Sequence, residues 1–245
     1  MSTALWLTIP YVAFTSFLIG HLWRYRHDQF GWTTRSSQLY ESRLLRLGSP
    51  LFHFGLLAVL GGHVIGILIP ASWTAALGAP ESSYHLMSVS LGTLSGLATI
   101  AGLAILLYRR ITVPAVRQAT TRIDKIMYML LSAAIVTGML NTVGSNLIGG
   151  GYDYRATVSP WFRSLFSLAP RPELMVGIPV SFQIHALIVL ILLASWPYTR
   201  LVHVFSAPVG YLTRPYIVYR SRDQHPGARR YARAWNQPAP SSTRR

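Results

Sequence analysis

The chain has 245 residues, of which 51% are hydrophobic and 12% charged, a composition that excludes an ordinary soluble enzyme and suits one helical membrane domain. Cysteine is absent, which excludes thiolate-bound iron–sulfur clusters, thiolate-ligated haem and covalently attached c-type haem. The net charge of +15 would suggest nucleic acid in a soluble chain, but in a membrane protein it indicates topology, and we expect no nucleic-acid partner.

Five apolar segments are each long enough to cross a hydrocarbon core, which takes about 20 residues. The predicted spans are residues 5–23, 50–70, 85–108, 126–148 and 176–203. The third is rich in Gly, Ser, Ala and Thr, which lets helices approach closely. Between the fourth and fifth spans, residues 159–166 predict a short amphipathic helix at the membrane interface, because Trp and Phe favour that depth. The sequence therefore predicts an all-α integral membrane protein, a bundle of five transmembrane helices within residues 1–205.

Basic residues are distributed unequally between the two sides of this topology. Nineteen of the 22 follow the first or third span or lie at and beyond the inner end of the fifth, and the other three, Arg155, Arg163 and Arg171, follow the fourth. Because basic residues are retained in the cytoplasm, we expect a multi-pass plasma-membrane protein with its N-terminus outside and its C-terminus in the cytoplasm. Residues 206–245 are predicted to be a basic tail, disordered towards its end, and the inner arginines are expected to contact anionic lipid.

Four histidines lie in the second and fifth spans at two levels. In antiparallel spans, His53 and His203 fall near the cytoplasmic face, while His63 and His185 fall nearer the exterior. An imidazole inside a membrane is costly and usually faces the bundle interior, where a partner offsets its desolvation. A bis-histidine haem needs one axial nitrogen from each of two facing helices. The two pairs therefore predict two stacked b haems that conduct electrons.

The axial spacings leave an alternative open. His53 and His63 are ten residues apart, about 15 Å along a helix, whereas His185 and His203 are 18 apart, about 27 Å. Tilt or a kink at residues 196–197 would have to absorb the difference. The competing interpretation is a polar seam in a transporter, which haem absorbance would exclude. Three other histidines are interpreted as solvated or interfacial residues, namely His21, His27 and His225.

Three stretches of the chain resemble the gamma subunit of membrane-bound respiratory nitrate reductase. They are residues 24–66, the segment YRRITVP at 108–114 and the segment TRLVHVFSAPVGYLTRPY at 199–216. The resemblance implies a five-helix cytochrome b that oxidises menaquinol or ubiquinol near the outer of two b haems. It also implies two partners, an iron–sulfur beta subunit that receives the electrons and a molybdenum-cofactor alpha subunit that reduces nitrate, in anaerobic respiration or nitrate assimilation.

The same resemblance assigns the haem ligands. His53 and His203 would hold the inner haem iron, and His63 with His185 the outer haem iron, in agreement with the depth argument. Residues 211–220, which mix aromatic and basic side chains as protein interfaces often do, are expected to contact the iron–sulfur partner. The alternative within this class is a related dihaem cytochrome b that serves a sulfur-metabolism reductase.

The resemblance places the quinol site beside the outer haem, near Gly62. A lysine found in part of the family at the start of the third span is absent, and residues 83–85 occupy that neighbourhood. Within them, His85 is the candidate to accept the quinol proton. Arg110 and Arg200, at the inner ends of the third and fifth spans, are candidates to pair with haem propionates or with anionic lipid.

Overall fold

A computed structural model describes residues 3–32, 36–167 and 169–206. All regular structure in these residues is helical. The α-helices are α1 Thr3–His27, α2 Arg43–His63, α3 Ala71–Ala76, α4 Glu81–Thr112, α5 Pro114–Gln118, α6 Arg122–Met139, α7 Val158–Ser164 and α8 Val180–Ser195. Two segments are π-helical, Val64–Leu68 and Leu140–Ile148, and three are 3-10 helices, Pro172–Met175, Trp196–Tyr198 and Arg200–Ser206.

Five helical segments are long and apolar enough to cross a membrane. They are Thr3–His27, Arg43–Leu68, Glu81–Thr112, Arg122–Asn146 and Val180–Tyr198. The predicted fold class, an all-α bundle of five transmembrane helices, is confirmed. The predicted tail at 206–245 lies outside the described residues except for Ser206, as do residues 211–220 and His225.

The fifth span is shorter than predicted and does not carry both of its histidines. The helix α8 ends at Ser195, after which the chain continues in two short 3-10 segments. Pro197 has no N–H and therefore cannot continue the α-helical hydrogen bonding. His203 lies on the second 3-10 segment, so the single α-helix from which a separation of about 27 Å between His185 and His203 was expected is wrong.

A buried arginine of α1 holds this break in place. Arg24 is 7% exposed and donates from Nη1 to the carbonyl oxygens of Pro197 and Thr199, at 2.7 and 3.1 Å. One turn earlier, a Cβ at Gly20 would lie 2.6 Å from Pro197, so only glycine fits this approach. The end of the fifth span is therefore fixed by the first span.

The helices α2 and α4 pack closely because glycines face their contact. A Cβ on Gly55 of α2 would lie 2.8 Å from the backbone nitrogen of Thr99 and 3.1 Å from the carbonyl oxygen of Ser95. From the other side, a Cβ on Gly102 of α4 would meet the backbone of Phe52. The predicted close approach of the third span is confirmed, with its partner identified as α2.

The short helix predicted after the fourth span is present as α7, but its tryptophan does not face the membrane interface. Trp161 is 2% exposed, packs edge to face on Trp6 at 5.6 Å and donates from Nε1 to the carbonyl oxygen of Trp6 at 3.1 Å. It belongs to an apolar cluster that also contains Met175 and Phe182. The interfacial interpretation of this residue is wrong, because helix α7 is packed into the bundle.

Candidate functional site

The structure brings the four intramembrane histidines together as two pairs. The ring centroids of His53 and His203 are 6.1 Å apart, and those of His63 and His185 are 6.2 Å apart. We name them the inner pair and the outer pair, after the predicted orientation. The helix α2 carries one member of each pair, α8 carries His185, and the 3-10 segment beyond it carries His203. The histidines that the sequence placed at the same membrane depth are therefore neighbours in the fold.

Hydrogen bonds fix the tautomer of three of these imidazoles. In His53, His63 and His203, Nδ1 lies 2.7, 2.8 and 2.6 Å from a backbone carbonyl oxygen three or four residues earlier. A carbonyl oxygen can only accept, so Nδ1 carries the hydrogen and donates it. The Nε2 atom of each ring is left with the free lone pair.

His185 reaches the same state through a side chain of α6. The hydroxyl of Thr137 donates its hydrogen to the carbonyl oxygen of Ala133 at 2.7 Å. Its oxygen therefore accepts from Nδ1 of His185, 3.0 Å away. Sequence reasoning missed Thr137, since nothing in its local sequence indicates a partner 48 residues away. In the neutral form that binds a metal, all four rings therefore carry the lone pair on Nε2.

The distance within each pair fits one metal ion between two rings. Two metal–nitrogen bonds of about 2.0 Å, and roughly 1.1 Å from each nitrogen to its ring centre, place the centroids about 6 Å apart. Axial ligation of a haem iron needs only two such nitrogens. Within the described ranges there is no group of three or more His, Cys, Asp or Glu side chains placed to hold a metal ion. The residues present therefore fit two b haems.

Glycines border the outer pair. A Cβ on Gly138 of α6 would lie 3.0 Å from Cε1 of His185, so this position brings the α6 backbone against the ring. Gly62, next to His63, faces open space: apart from its chain neighbours and the nearby backbone of its own helix, no atom of the described residues lies within 4 Å of the position that its Cβ would take. The room expected beside Gly62 is present, and its use by a quinol stays a prediction.

His85 lies on α4 near the end of α2 that carries the outer pair. Its neighbour Tyr84 approaches Gly66, just beyond α2. The Nε2 atom of His85 is buried and has no hydrogen-bond partner in the part of the chain that the structure describes. A Cβ on Gly151 would lie 3.6 Å from this atom. His85 thus faces the segment after the fourth span and does not contact the Gly62 position.

The two arginines expected near haem propionates make protein contacts. Arg200 donates from Nε and Nη2 to the two carboxylate oxygens of Asp124, at 2.8 and 2.9 Å, so a carboxylate of the protein already matches its charge. Arg110 donates to Oγ1 of Thr120 at 2.9 Å, lies 4.9 Å over the ring of Tyr128 and lines a cavity of about 330 Å³. A propionate contact of either arginine stays a prediction.

Two further histidines differ from each other in their surroundings. His27 is exposed, as predicted. The ring of His21 is packed among Phe17, Trp32 and Phe205, with centroids 4.3, 5.8 and 4.9 Å away. The solvated interpretation of His21 is wrong, because two of these aromatic residues come from other segments of the chain.

Comparison with known proteins adds independent evidence. The family described as "Nitrate reductase gamma subunit" matches residues 2–222. The chain is 46% identical over 218 residues to the nitrate reductase gamma chain of Bacillus subtilis (strain 168), a match that covers 89% of this chain and 97% of that one. It is 34% identical over 214 residues to the respiratory nitrate reductase 2 gamma chain of Escherichia coli (strain K12), covering 87% and 94% of the two chains.

A longer relative shares higher identity. The chain is 55% identical over 236 residues to the nitrate reductase-like protein NarX of Mycobacterium tuberculosis (strain ATCC 25618 / H37Rv), which covers 96% of this chain. The chain spans only 36% of the length of that mycobacterial protein. The family match over residues 2–222 and the coverage of two gamma chains almost from end to end show that this chain belongs to the nitrate reductase gamma subunit family.

Proposed function

We propose that this chain is the quinol-oxidising cytochrome b subunit that anchors a respiratory nitrate reductase to the membrane, with nitrate reduced in a partner subunit. The observation that carries the proposal is the two histidine pairs at 6.1 and 6.2 Å. The names of the two related gamma chains support nitrate as the acceptor rather than a sulfur compound. The word "respiratory" in one of them favours respiration over nitrate assimilation.

The four histidines are proposed as axial ligands, His53 and His203 for the inner b haem and His63 and His185 for the outer one. Their Nδ1 hydrogen bonds assign a ring hydrogen to Nδ1 and orient each ring, which leaves Nε2 as the nitrogen available to a metal. When bound, the two haems supply one-electron transfer at potentials that the protein tunes. The chain's own contribution is to hold both pairs in one bundle.

The quinol is proposed to bind beside the outer pair. Gly62 has no side chain, and the space in front of it is open, so a flat quinol ring has room next to His63. Oxidation of menaquinol or ubiquinol releases two protons with two electrons, so a nearby group must accept each hydroxyl proton. His85 is the candidate, since its buried Nε2 has no partner among the described residues and an imidazole nitrogen can take up and release a proton.

The partners are proposed to dock on the side of the inner pair. There, residues 37–41, before α2, are held against α4 by Arg109, which donates to Oε2 of Glu41 at 2.6 Å and to Oγ of Ser37 at 2.8 Å. We assign residues 37–41 and the mixed aromatic and basic residues 211–220 to the interface with the iron–sulfur beta subunit, beyond which lies the molybdenum-cofactor alpha subunit. Membrane lipid surrounds the five spans.

The orientation is testable with paired reporters. A fluorescent protein fused after Arg245 is expected to fold in the cytoplasm, and alkaline phosphatase inserted at residues 77–80 is expected to be active outside. The reason is the concentration of basic residues after the first, third and fifth spans. The reciprocal fusions serve as controls and should be inactive. The opposite labelling would reverse which histidine pair meets the quinol and would overturn the proposed direction of electron flow.

Quinol-driven reduction of haem tests the function itself. Added quinol is expected to transfer electrons to the b haems of the purified complex, which is followed by the change in their absorbance. The substitution His85→Ala is expected to slow this electron transfer by about 100-fold, the effect of losing a general base. Electron entry from an artificial donor into the partner subunits should not change. The exposed His27→Ala is the matched control. Absence of haem absorbance in the wild type would overturn the function, and unaltered quinol kinetics in the variant would remove His85 from the mechanism.

A further inference from the structure

The second span ends in a way that leaves carbonyl groups in need of donors. After His63 the α-helix becomes the π-helical segment Val64–Leu68, and Pro70 follows without an N–H. The last carbonyl groups of any helix receive no hydrogen bond from a following turn. Away from bulk water each unsatisfied carbonyl is costly. Donors from another part of the chain are therefore required just beyond His63.

Three side chains that follow the fourth span supply these donors. The pairs are separated by 86 to 96 positions in the chain, and they are Ser159 Oγ to the oxygen of Gly66 at 2.9 Å, Arg163 Nη1 to the oxygen of Ile67 at 2.7 Å and Arg155 Nη2 to the oxygen of Ile69 at 3.4 Å. Two of the donors are guanidinium groups, whose positive charge also suits the negative end of a helix dipole.

Two of these donors are buried in the protein, and the third, Arg163, is partly exposed. Ser159 is 0% and Arg155 is 5% exposed. Arg155 also pairs with Glu81 at 3.0 Å and lies 3.9 Å over the ring of Tyr84. The third external arginine, Arg171, is different, since its side chain is 58% exposed and pairs with its near neighbour in sequence.

Two tyrosines also contact the π-helical segment, at Gly66. The hydroxyl groups of Tyr84 and Tyr154 are 3.1 Å apart, and both occupy the space that a Cβ on Gly66 would take. Burial, together with the hydrogen bond to Tyr84, raises the pKa of Tyr154, so this phenol keeps its proton. The backbone at Gly66 is therefore fixed from two other segments of the chain.

We propose that Ser159, Arg163 and Arg155 form a clamp that positions His63 as a ligand of the outer haem. This inference rests on the proposed function. The clamp grips the backbone three to six residues after His63, while the imidazole itself is bonded to the carbonyl oxygen of Val59. The direction of Nε2 therefore depends on where the end of the second span is held. The three donors are positioning residues, which act on the ligand through the backbone.

The test compares the two haems within one protein. In the double variant Ser159→Ala, Arg163→Met, the carbonyl groups of Gly66 and Ile67 lose their side-chain donors. The outer haem is expected to be bound at least about tenfold more weakly, the usual effect of removing a group that orients a metal ligand, with a shift in its midpoint potential. The inner haem should be retained and reports that the variant is folded. The measurement is a redox titration of the low-spin haem signals in the intact complex.

Two single variants sharpen the result. Arg163→Lys, with Ser159 intact, keeps a cationic donor and is expected to retain the outer haem, and the exposed Arg171→Met should change neither haem. Equal outer and inner haem content in the double variant, parallel loss of both haems, or loss of the outer haem in Arg163→Lys would overturn the clamp. A wild type without two low-spin haem signals would instead overturn the proposed function, so the two failures are distinguishable.

Discussion

Replacing His63 with alanine is expected to remove the outer haem and leave the inner haem, so that the haem content of the complex falls by about half. The reason is that each iron in the proposed arrangement has two protein ligands, and loss of one leaves an axial position without protein nitrogen. His185→Ala should give the same product, because the two rings face each other 6.2 Å apart. Haem content by pyridine haemochrome and the separate low-spin signals measure the effect.

The inner pair provides the reciprocal experiment. His53→Ala and His203→Ala are expected to deplete the other haem signal, and His27→Ala, which changes an exposed ring, should deplete neither. If His63→Ala and His203→Ala depleted the same signal, the pairing by depth would be wrong. That outcome would also contradict the neighbour relations in the structure.

Replacing Asp124 with asparagine is expected to lower the free energy of unfolding by about 3–5 kcal/mol, the usual cost of leaving one partner of a buried ion pair without the other. The side chain of Asp124 is 2% exposed, that of Arg200 is 11% exposed, and two hydrogen bonds join them. The carbonyl oxygen of Arg200 accepts from Nδ1 of His203, so the variant should also weaken the inner pair. Denaturant unfolding in detergent measures the first effect.

A double-mutant cycle separates the pair from its neighbours. The variant Asp124→Asn, Arg200→Gln should cost clearly less than the sum of the two single variants, because neither charge is then left alone. Arg122→Gln, an exposed change two residues from Asp124, should stay within about 0.5 kcal/mol of the wild type. Strict additivity of the two single changes would show that the ion pair does not stabilise the fold.

The sequence alone was sufficient for the five spans and the partners of the four histidines. Apolar length predicts a span whatever its neighbours are, and antiparallel order then places His53 with His203 and His63 with His185. Both inferences rest on whole segments, namely the apolar length of each span and the order of the spans along the chain. For that reason they survive errors of several residues at the helix ends, such as the difference between the predicted 50–70 and the observed Arg43–Leu68.

The end of the fifth span shows where such inference stops. Pro197 predicts a disturbance of the helix, and a proline within a helix commonly produces a bend. Here the helix stops at Ser195, and Arg24 from the first span holds the freed carbonyl groups. Whether a proline bends or ends a helix depends on such a distant donor, which the local sequence does not contain.

Charge counting does not predict the bonding partners of individual arginines, for a related reason. Arg155 and Arg163 follow the fourth span and count as external charges, yet the structure uses both as donors to carbonyl groups more than 80 residues away. Arg200 was expected near a propionate, and its carboxylate partner is Asp124. The sequence sets the side of the membrane on which an arginine is expected, but tertiary structure selects what it bonds.

The glycine contact between α2 and α4 has a mechanical consequence for the two histidine pairs. At Gly55 and Gly102 the two backbones approach each other directly, so His53 and His63 share one closely packed support. Their counterparts have separate supports, since α8 carries His185 and a distinct 3-10 segment carries His203. Substitutions beyond Pro179 can therefore shift the rings of one pair without shifting those of the other. A displacement of α2, in contrast, moves one ring of each pair.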